Sequence, residues 1–130
     1  MATGLHHISL LASSDKTIDF YLELGFRETD RHKRLDVTEV TLEGYGVVLE
    51  FTLERFRPKR NLIPEPTGIR YFSIIVDDYD FIVRNNFDAH RMRDMSGERY
   101  CFLCDPDGQK IELREDMEAK KAREAELEKK

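Results

Sequence analysis

Runs of apolar residues follow one another in the same order twice along the chain. Residues 5–12 are mostly apolar and lead into Ser13-Ser14-Asp15, a pattern that predicts a strand followed by a capped helix. Residues 69–76 repeat the run and lead into Asp77-Asp78-Tyr79. Residues 46–51 are likewise similar in sequence to residues 108–113. An internal repeat of this kind indicates two copies of one supersecondary unit.

Further elements follow from helical spacing, alternation and turn residues. In the first copy we predict a helix to about residue 24, ended by Gly25, and strands at 26–31, 35–42 and 47–52. In the second copy we predict a helix over 79–86 and strands at 90–94, 98–103 and 109–114. The sequence Asp105-Pro106-Asp107-Gly108 predicts the last tight turn. Each copy therefore has the order β-α-β-β-β.

These elements divide the chain into four parts. The modules span residues 1–52 and 69–115, and the segment 53–68 joins them. That segment holds Pro58, Pro64 and Pro66, which leave little room for regular structure. The basic residues of this segment are Arg55, Arg57, Lys59 and Arg60. We expect them either to be solvated without a further role or to lie at the mouth of a cavity and favour an anionic ligand. Residues 116–130 are almost all charged or alanine, and are expected to form a solvated helix, a frayed solubilising tail or a partner-binding helix.

Composition narrows the class of protein. A chain of 130 residues with 40% hydrophobic content fits one globular domain. The net charge of −5 argues against a nucleic-acid surface, which would be basic. No apolar run approaches the roughly 18 residues that a membrane span requires, and no secretory signal is visible at the N-terminus. A cytoplasmic protein that acts on a small molecule is the expectation.

Strand alternation sorts the side chains into an apolar face that packs on the helices and a second, mixed face. The mixed face is predicted to gather His7, Ser9, Glu50, Thr52, Tyr71, Ser73, Glu112 and Arg114. An imidazole and carboxylates are suitable ligands for Zn, Ni, Co, Mn or Fe. Spacing alone leaves an alternative open, in which His7 is a surface histidine and the glutamates are exposed strand residues.

Two motifs resemble a known family. Residues 5–10, followed by Phe20-Tyr21 and Leu24-Gly25-Phe26, resemble the opening module of the vicinal oxygen chelate superfamily, which includes glyoxalase I, bleomycin-resistance proteins and extradiol dioxygenases. Residues 105–113 resemble the closing strand of glyoxalase I and its small relatives. The resemblance covers about residues 4 to 115. It implies an α+β fold whose two modules form a cupped eight-stranded mixed sheet with helices on the outer face, often in a homodimer.

The resemblance also implies a site. In that superfamily each module supplies a metal ligand from its first strand and one from its last strand, and the matched positions are His7, Glu50, Tyr71 and Glu112. Tyr71 departs from the pattern, because histidine is usual there. Weaker expectations for substrate binding are Ser9, Thr52, Ser73 and Arg114.

Three functions are compatible with such a site. The leading hypothesis is a metal-dependent lyase or isomerase resembling glyoxalase I, in which a divalent metal ion stabilises an enediolate and Glu112 shuttles the proton. The alternative is a protein of the bleomycin-resistance type that sequesters a small molecule without turnover. The third is an extradiol-type dioxygenase, which usually needs two histidines on iron, whereas His7 is the one histidine at the matched positions.

Overall fold

The computed structural model describes residues 1–55, 58–60, 63–85 and 90–129, and the side chains of all of these except 90–92. Over these residues the order β-α-β-β-β occurs twice and a third helix follows, so the predicted α+β fold class is confirmed. The elements are β1 (Ile8–Ala12), α1 (Asp15–Leu24), β2 (Arg27–Arg34), β3 (Val37–Gly44), β4 (Val47–Leu53), β5 (Tyr71–Val76), α2 (Tyr79–Arg84), β6 (His90–Arg93), β7 (Arg99–Cys104), β8 (Lys110–Glu115) and α3 (Met117–Glu128). Arg57 of the predicted linker and Asn86 of the predicted second helix lie outside the described residues.

The two modules have the same strand topology. The first sheet has the order β1-β4-β3-β2 and the second has the order β5-β8-β7-β6. In each, the first strand of the module runs parallel to the last, and the remaining neighbours are antiparallel. Each sheet is therefore mixed, and the described strands pair within these two four-stranded sheets. Closure into one cupped eight-stranded sheet stays a prediction.

Strand boundaries differ from prediction at the first hairpin. We predicted a strand from residue 35, but β3 begins at Val37, because Leu35 adopts a φ of 54° in the turn between β2 and β3. A two-residue hairpin turn with positive φ fits the right-handed twist of the strands it joins. In the second hairpin both turn residues, Tyr45 and Gly46, have positive φ, with values of 52° and 72°.

Helix α1 begins and ends where its sequence predicts. Ser14 is the N-cap and accepts a hydrogen bond from the backbone N–H of Lys16. Gly25 ends the helix with a φ of 113°, and a Cβ there would lie 2.5 Å from the hydroxyl of Tyr45. That hydroxyl donates to the carbonyl of Leu24. Glycine is thus required at residue 25 both by the left-handed backbone and by the close approach of Tyr45.

Spatial proximity divides the chain into two compact units. The first unit is Met1–Pro64 with Asp105–Gly108, and the second is Glu65–Cys104 with Gln109–Lys130. The buried apolar side chains of the first unit include Ile18, Tyr21 and Leu24 of α1 and Val40, Leu42, Leu49 and Phe51 of the sheet. Those of the second unit include Ile74, Val76, Val83, Cys101, Leu103, Ile111 and Leu113. Each such side chain contributes roughly 1.5–3 kcal/mol on burial.

The predicted turn at residues 105–108 also anchors α1 in the first unit. Its turn hydrogen bond runs from the N–H of Gly108 to the carbonyl of Asp105. Asp105 accepts from the buried hydroxyl of Tyr21 at 2.7 Å. Asp107 accepts from the N–H and the hydroxyl of Ser13 at 2.9 and 2.5 Å, and from the hydroxyl of Thr17 at 2.6 Å. The sequence predicted the turn and not the role of its two carboxylates.

The charged C-terminal segment forms α3, a helix with no buried residue. Its N-cap is Asp116, and Arg123 donates to the carbonyl of Asp77 at 3.0 Å. The segment is therefore helical over Met117–Glu128, which agrees with two of the predicted alternatives, the solvated helix and the partner-binding helix. Across the described part of the chain, no helix is long and apolar enough to cross a membrane.

Candidate metal and substrate site

The first unit brings together two of the predicted metal ligands. Glu50 lies on β4 opposite Ser9 of β1, and His7 directly precedes β1. The Nε2 atom of His7 is 3.1 Å from Oε2 of Glu50, and each side chain keeps a little over a third of its exposure, 36% and 37%. The Nδ1 atom of His7 lies 2.7 Å from Nδ1 of His6. We call His7 and Glu50 the first-unit pair.

The spacing of 3.1 Å within the first-unit pair is that of a hydrogen-bonded ion pair, and it is also compatible with two ligands of one metal ion. Two donor atoms about 2.1 Å from one ion, at the right angle of an octahedral site, are about 3 Å apart. If Nδ1 of His7 donates its proton to His6, Nε2 carries a lone pair that faces a carboxylate. A proton or a cation between the two atoms then offsets their repulsion, and metal-binding histidines commonly donate their other N–H to a neighbour in this way. The donor set of the pair therefore fits a divalent metal ion.

Glu112 has different partners in the second unit. It lies on β8 opposite Ser73 of β5 and is 4% exposed. Its Oε1 atom accepts hydrogen bonds from the hydroxyl of Ser73 at 3.1 Å and from Nε of Arg114 at 2.5 Å. We call Ser73, Glu112 and Arg114 the Glu112 clamp. The charge of this buried carboxylate is thus balanced by a guanidinium.

Arg114 is itself held on several sides. Its guanidinium stacks 4.8 Å from the ring centre of Tyr100, a neighbour across the β7–β8 pairing. Its Nη1 atom lies 3.4 Å from Oδ2 of Asp94 and 3.6 Å from Oε1 of Glu98. The hydrogen bond to Glu112 is the main reason why the pKa of Arg114 is raised. Three carboxylates therefore surround one cation, and the guanidinium is already neutralised by the protein.

Tyr71 occupies the position equivalent to His7 in the second copy. Its ring packs edge-on against Phe102 at 5.1 Å, and the guanidinium of Arg70 lies 6.0 Å from the ring centre. Phe102 in turn lies 6.0 Å from Tyr100. The hydroxyl of Tyr71 makes no hydrogen bond with a described residue. These three rings form what we call the aromatic row of the second sheet.

The four predicted substrate-binding residues separate into two kinds. Ser73 and Arg114 both contact Glu112 directly. Ser9 is exposed beside Glu50, and Thr52 stands on β4 at the position equivalent to Arg114 on β8. The side chains of Ser9 and Thr52 make no hydrogen bond to the described part of the chain. A substrate contact by any of the four stays a prediction.

The predicted ligand set draws two residues from each unit. Among the residues that the structure describes, no group of three or more His, Cys, Asp or Glu side chains lies together so as to hold a metal ion. The described contact between predicted ligands is the one from His7 to Glu50, and a metal ion bound by the four residues stays a prediction. Sequence reasoning missed four neighbours that shape the site, namely His6, Asp94, Glu98 and Tyr100. The sequence could have predicted Tyr100, because it lies opposite Arg114 on the neighbouring strand. It gave no indication of the loop residues Asp94 and Glu98.

Comparison with known proteins decides the family. The model of the glyoxalase/bleomycin resistance protein/dioxygenase superfamily matches residues 4–113. This chain belongs to that superfamily. The match spans both modules and includes His7, Glu50, Tyr71 and Glu112. The predicted family resemblance is therefore confirmed.

Individual proteins are similar to this chain over most of their length. The uncharacterised protein YaeR of Escherichia coli is 32% identical over 125 residues, covering 85% of this chain and 95% of that protein. The uncharacterised protein YwkD of Bacillus subtilis is 30% identical over 124 residues, covering 86% and 96%. Among solved structures, the trypanothione-dependent glyoxalase I of Leishmania major is 27% identical with a TM-score of 0.67, covering 95% of this chain and 94% of that one.

Proposed function

We propose that this protein is a metal-dependent lyase or isomerase of the glyoxalase I type. The observation that carries the proposal is the spacing of 3.1 Å between Nε2 of His7 and Oε2 of Glu50, which suits two ligands of one ion. The similarity to a glyoxalase I at 27% identity supports the reaction class. The acidic partner from the second unit is Glu112.

Each residue has a stated role in this proposal. His7 and Glu50 hold the ion, together with Glu112 and, more weakly, Tyr71. A bound divalent ion supplies charge stabilisation to two neighbouring oxygens of the substrate. Glu112 takes a proton from one substrate carbon and returns it to the next at Oε2, because its Oε1 atom is already engaged by Ser73 and Arg114.

The test combines metal uptake with turnover. Protein purified without a histidine tag is loaded in turn with Zn, Ni, Co or Mn and assayed on hemithioacetals of methylglyoxal with glutathione and other thiols. We expect about one ion per chain and turnover that His7→Ala and Glu112→Gln abolish. Glu43→Gln, which neutralises an exposed carboxylate on β3, should leave both unchanged. No uptake of any of the four ions at micromolar concentration would refute the proposal.

A second candidate function is binding without turnover, and the aromatic row favours it. The rings of Tyr71, Phe102 and Tyr100 offer stacking surface on the second sheet. The probe is bleomycin, whose planar aromatic part can stack on these rings. The chain has no tryptophan and five tyrosines, so quenching of tyrosine fluorescence reports binding, and comparison with Tyr100→Ala assigns the quenching to the row. Saturable quenching that Tyr100→Ala removes, in protein without metal uptake, would favour this function over the enzyme.

A further inference from the structure

A cavity of about 500 Å³ lies in the first unit, between the start of α1 and the β2–β3 hairpin. Its volume falls in the range of roughly 300–1,000 Å³ that small-molecule sites occupy. The side chains that line it are mostly polar or charged, and they include Ser14, Asp15, Lys33, Thr38, Leu53 and Arg55. One of the basic residues of the linker, Arg55, thus lies at a cavity.

The cavity lies on the sheet face opposite the first-unit pair. Lys33, Thr38 and Leu53 are neighbours across three strands, because Lys33 pairs with Thr38 and Thr38 pairs with Leu53. Side chains alternate along a strand, so Leu53 points away from the face that carries Glu50 and Thr52. The cavity is therefore separate from the residues proposed to hold a metal ion.

The charges that line the cavity are only partly balanced within the protein. Asp15 is paired, because its Oδ1 atom lies 2.9 Å from Nη1 of Arg31. The side chains of Lys33, Asp36 and Arg55 make no ion pair or hydrogen bond with a described residue. Two unpaired cations and one unpaired carboxylate thus leave an excess of positive charge at the lining.

Two hydroxyls of the lining are available as donors. Ser14 accepts the cap hydrogen bond from the N–H of Lys16, and a hydroxyl that accepts in this way keeps its own proton to donate. Thr38 is half-buried, and its hydroxyl makes no hydrogen bond with a described residue. Ammonium and guanidinium groups are donors only. The lining therefore suits a ligand with several acceptor oxygens and a negative charge.

We propose that this cavity binds a small phosphate monoester, at a site additional to the proposed metal and substrate site. A phosphate group has three acceptor oxygens and a charge of about −2, which matches two cations and two hydroxyls better than a carboxylate does. Lys33 and Arg55 bind the phosphate oxygens with charge-assisted hydrogen bonds. The organic part of the ester fills the remaining volume, where Leu53 contacts its carbon atoms and Asp36 accepts from its hydroxyls.

The test follows the binding of α-glycerophosphate by NMR, through the amide shifts of the isotope-labelled protein. We expect saturable shifts confined to residues 13–16, 33–38 and 53–55, and none with glycerol, which lacks the charge. Inorganic phosphate should bind more weakly than the ester, because it makes no contact with Leu53 or Asp36. Phosphate binding as tight as that of the ester would indicate an adventitious ion only and would overturn the proposal.

Substitutions assign the binding to individual donors. Lys33→Gln and Arg55→Gln should each weaken binding about tenfold, the loss of one charge-assisted hydrogen bond. Thr38→Val, which keeps the shape and removes the hydroxyl, should weaken it about threefold. Arg27→Gln is the matched control, because it removes a cation from the same strand as Lys33 at a place where Arg27 approaches Glu43 at 4.0 Å.

Three results would overturn the proposal, and none of them depends on metal uptake. The first is the absence of saturable binding at millimolar ester. The second is unchanged binding in both Lys33→Gln and Arg55→Gln. The third is an equal loss in Arg27→Gln, which would show attraction to the overall charge of the hairpin instead of a site.

Discussion

The first copy pairs its carboxylate with an imidazole, whereas the second pairs the equivalent carboxylate with a guanidinium. His7 and Glu50 are each more than a third exposed, but Glu112 is 4% exposed beside Arg114. An imidazole can exchange its proton for a metal ion, while a guanidinium stays charged. The two copies thus share one topology. Their equivalent glutamates, Glu50 and Glu112, have different partners because a few strand residues differ.

The helices of the two copies differ as well. Helix α1 has ten residues, caps at both ends, and an anchor at Asp105 and Asp107. Helix α2 has six residues, and its C-cap Asn85 lacks the left-handed conformation of Gly25. The first helix is held by hydrogen bonds to the two turn carboxylates, whereas the second is held from the sheet by Arg99, which donates to the carboxylate of Asp80 at 2.7 and 3.2 Å.

The largest expected effect is on metal affinity, when the first copy is given a guanidinium at the position equivalent to Arg114. Thr52→Arg places a guanidinium on the same face as Glu50, and two positive charges about 5 Å apart would repel each other by about 3 kcal/mol at an effective dielectric constant of 20. We expect metal affinity to fall about 100-fold by calorimetric titration. Thr52→Gln, similar in length but neutral, should show a small change, and an equal loss in both variants would assign the effect to size instead of charge.

Removing the buried anchor of α1 should have the next largest effect. Tyr21→Phe leaves the carboxylate of Asp105 without the hydroxyl that donates to it at 2.7 Å. The free energy of unfolding should fall by roughly 1–3 kcal/mol in urea titration, the effect of removing one hydrogen bond to a buried charged group. Tyr100→Phe is the matched control in the second unit, since its described contacts are made by the ring. A smaller loss for Tyr21→Phe than for Tyr100→Phe would contradict the asymmetry between the copies.

A moderate effect on metal affinity is expected when both copies carry a histidine at the start of their first strand. Tyr71→His puts an imidazole, a common metal ligand, at the position equivalent to His7, in place of a phenol. Zn²⁺ affinity should rise about tenfold, or about 1.4 kcal/mol, in competition with a chromophoric chelator. Tyr71→Phe should lower it or leave it unchanged. An increase for Tyr71→Phe equal to that for Tyr71→His would show that loss of the hydroxyl, and not gain of the imidazole, is responsible.

The smallest expected effect is a pH dependence of the α1 anchor. Burial opposes ionisation of Asp107, but the hydrogen bonds from Ser13 and Thr17 outweigh it, so its pKa is lowered. A carboxyl with a lowered folded-state pKa stabilises the fold above its unfolded value of about 3.9, and this contribution is lost as the pH falls below that value. Asp107→Asn should therefore be less stable than the wild type at neutral pH, and the gap between their urea midpoints should shrink below about pH 4. A gap that stays constant to pH 2 would contradict this assignment.

The sequence by itself determined the repeat, the order of the elements and the family. Local signals were sufficient for these, because apolar periodicity, the caps Ser14 and Gly25, and the turn at residues 105–108 act over short distances along the chain. Alternation also placed His7 and Glu50 on one face, where the structure brings them within 3.1 Å of each other. The hairpin at Leu35 was misplaced because its positive φ has no strong sequence signature in that residue.

Only the tertiary structure decided which partner each acidic residue meets. The sequence identifies Asp105 and Asp107 as turn residues. In the structure they accept hydrogen bonds from α1, which lies more than 80 positions away in sequence. The sharing of Arg114 between Glu112, Asp94 and Glu98 depends on strand register and on a loop conformation, and pairwise spacing encodes neither. The physical reason is that charge balance at a buried carboxylate is set by groups that are distant in the chain and close in space.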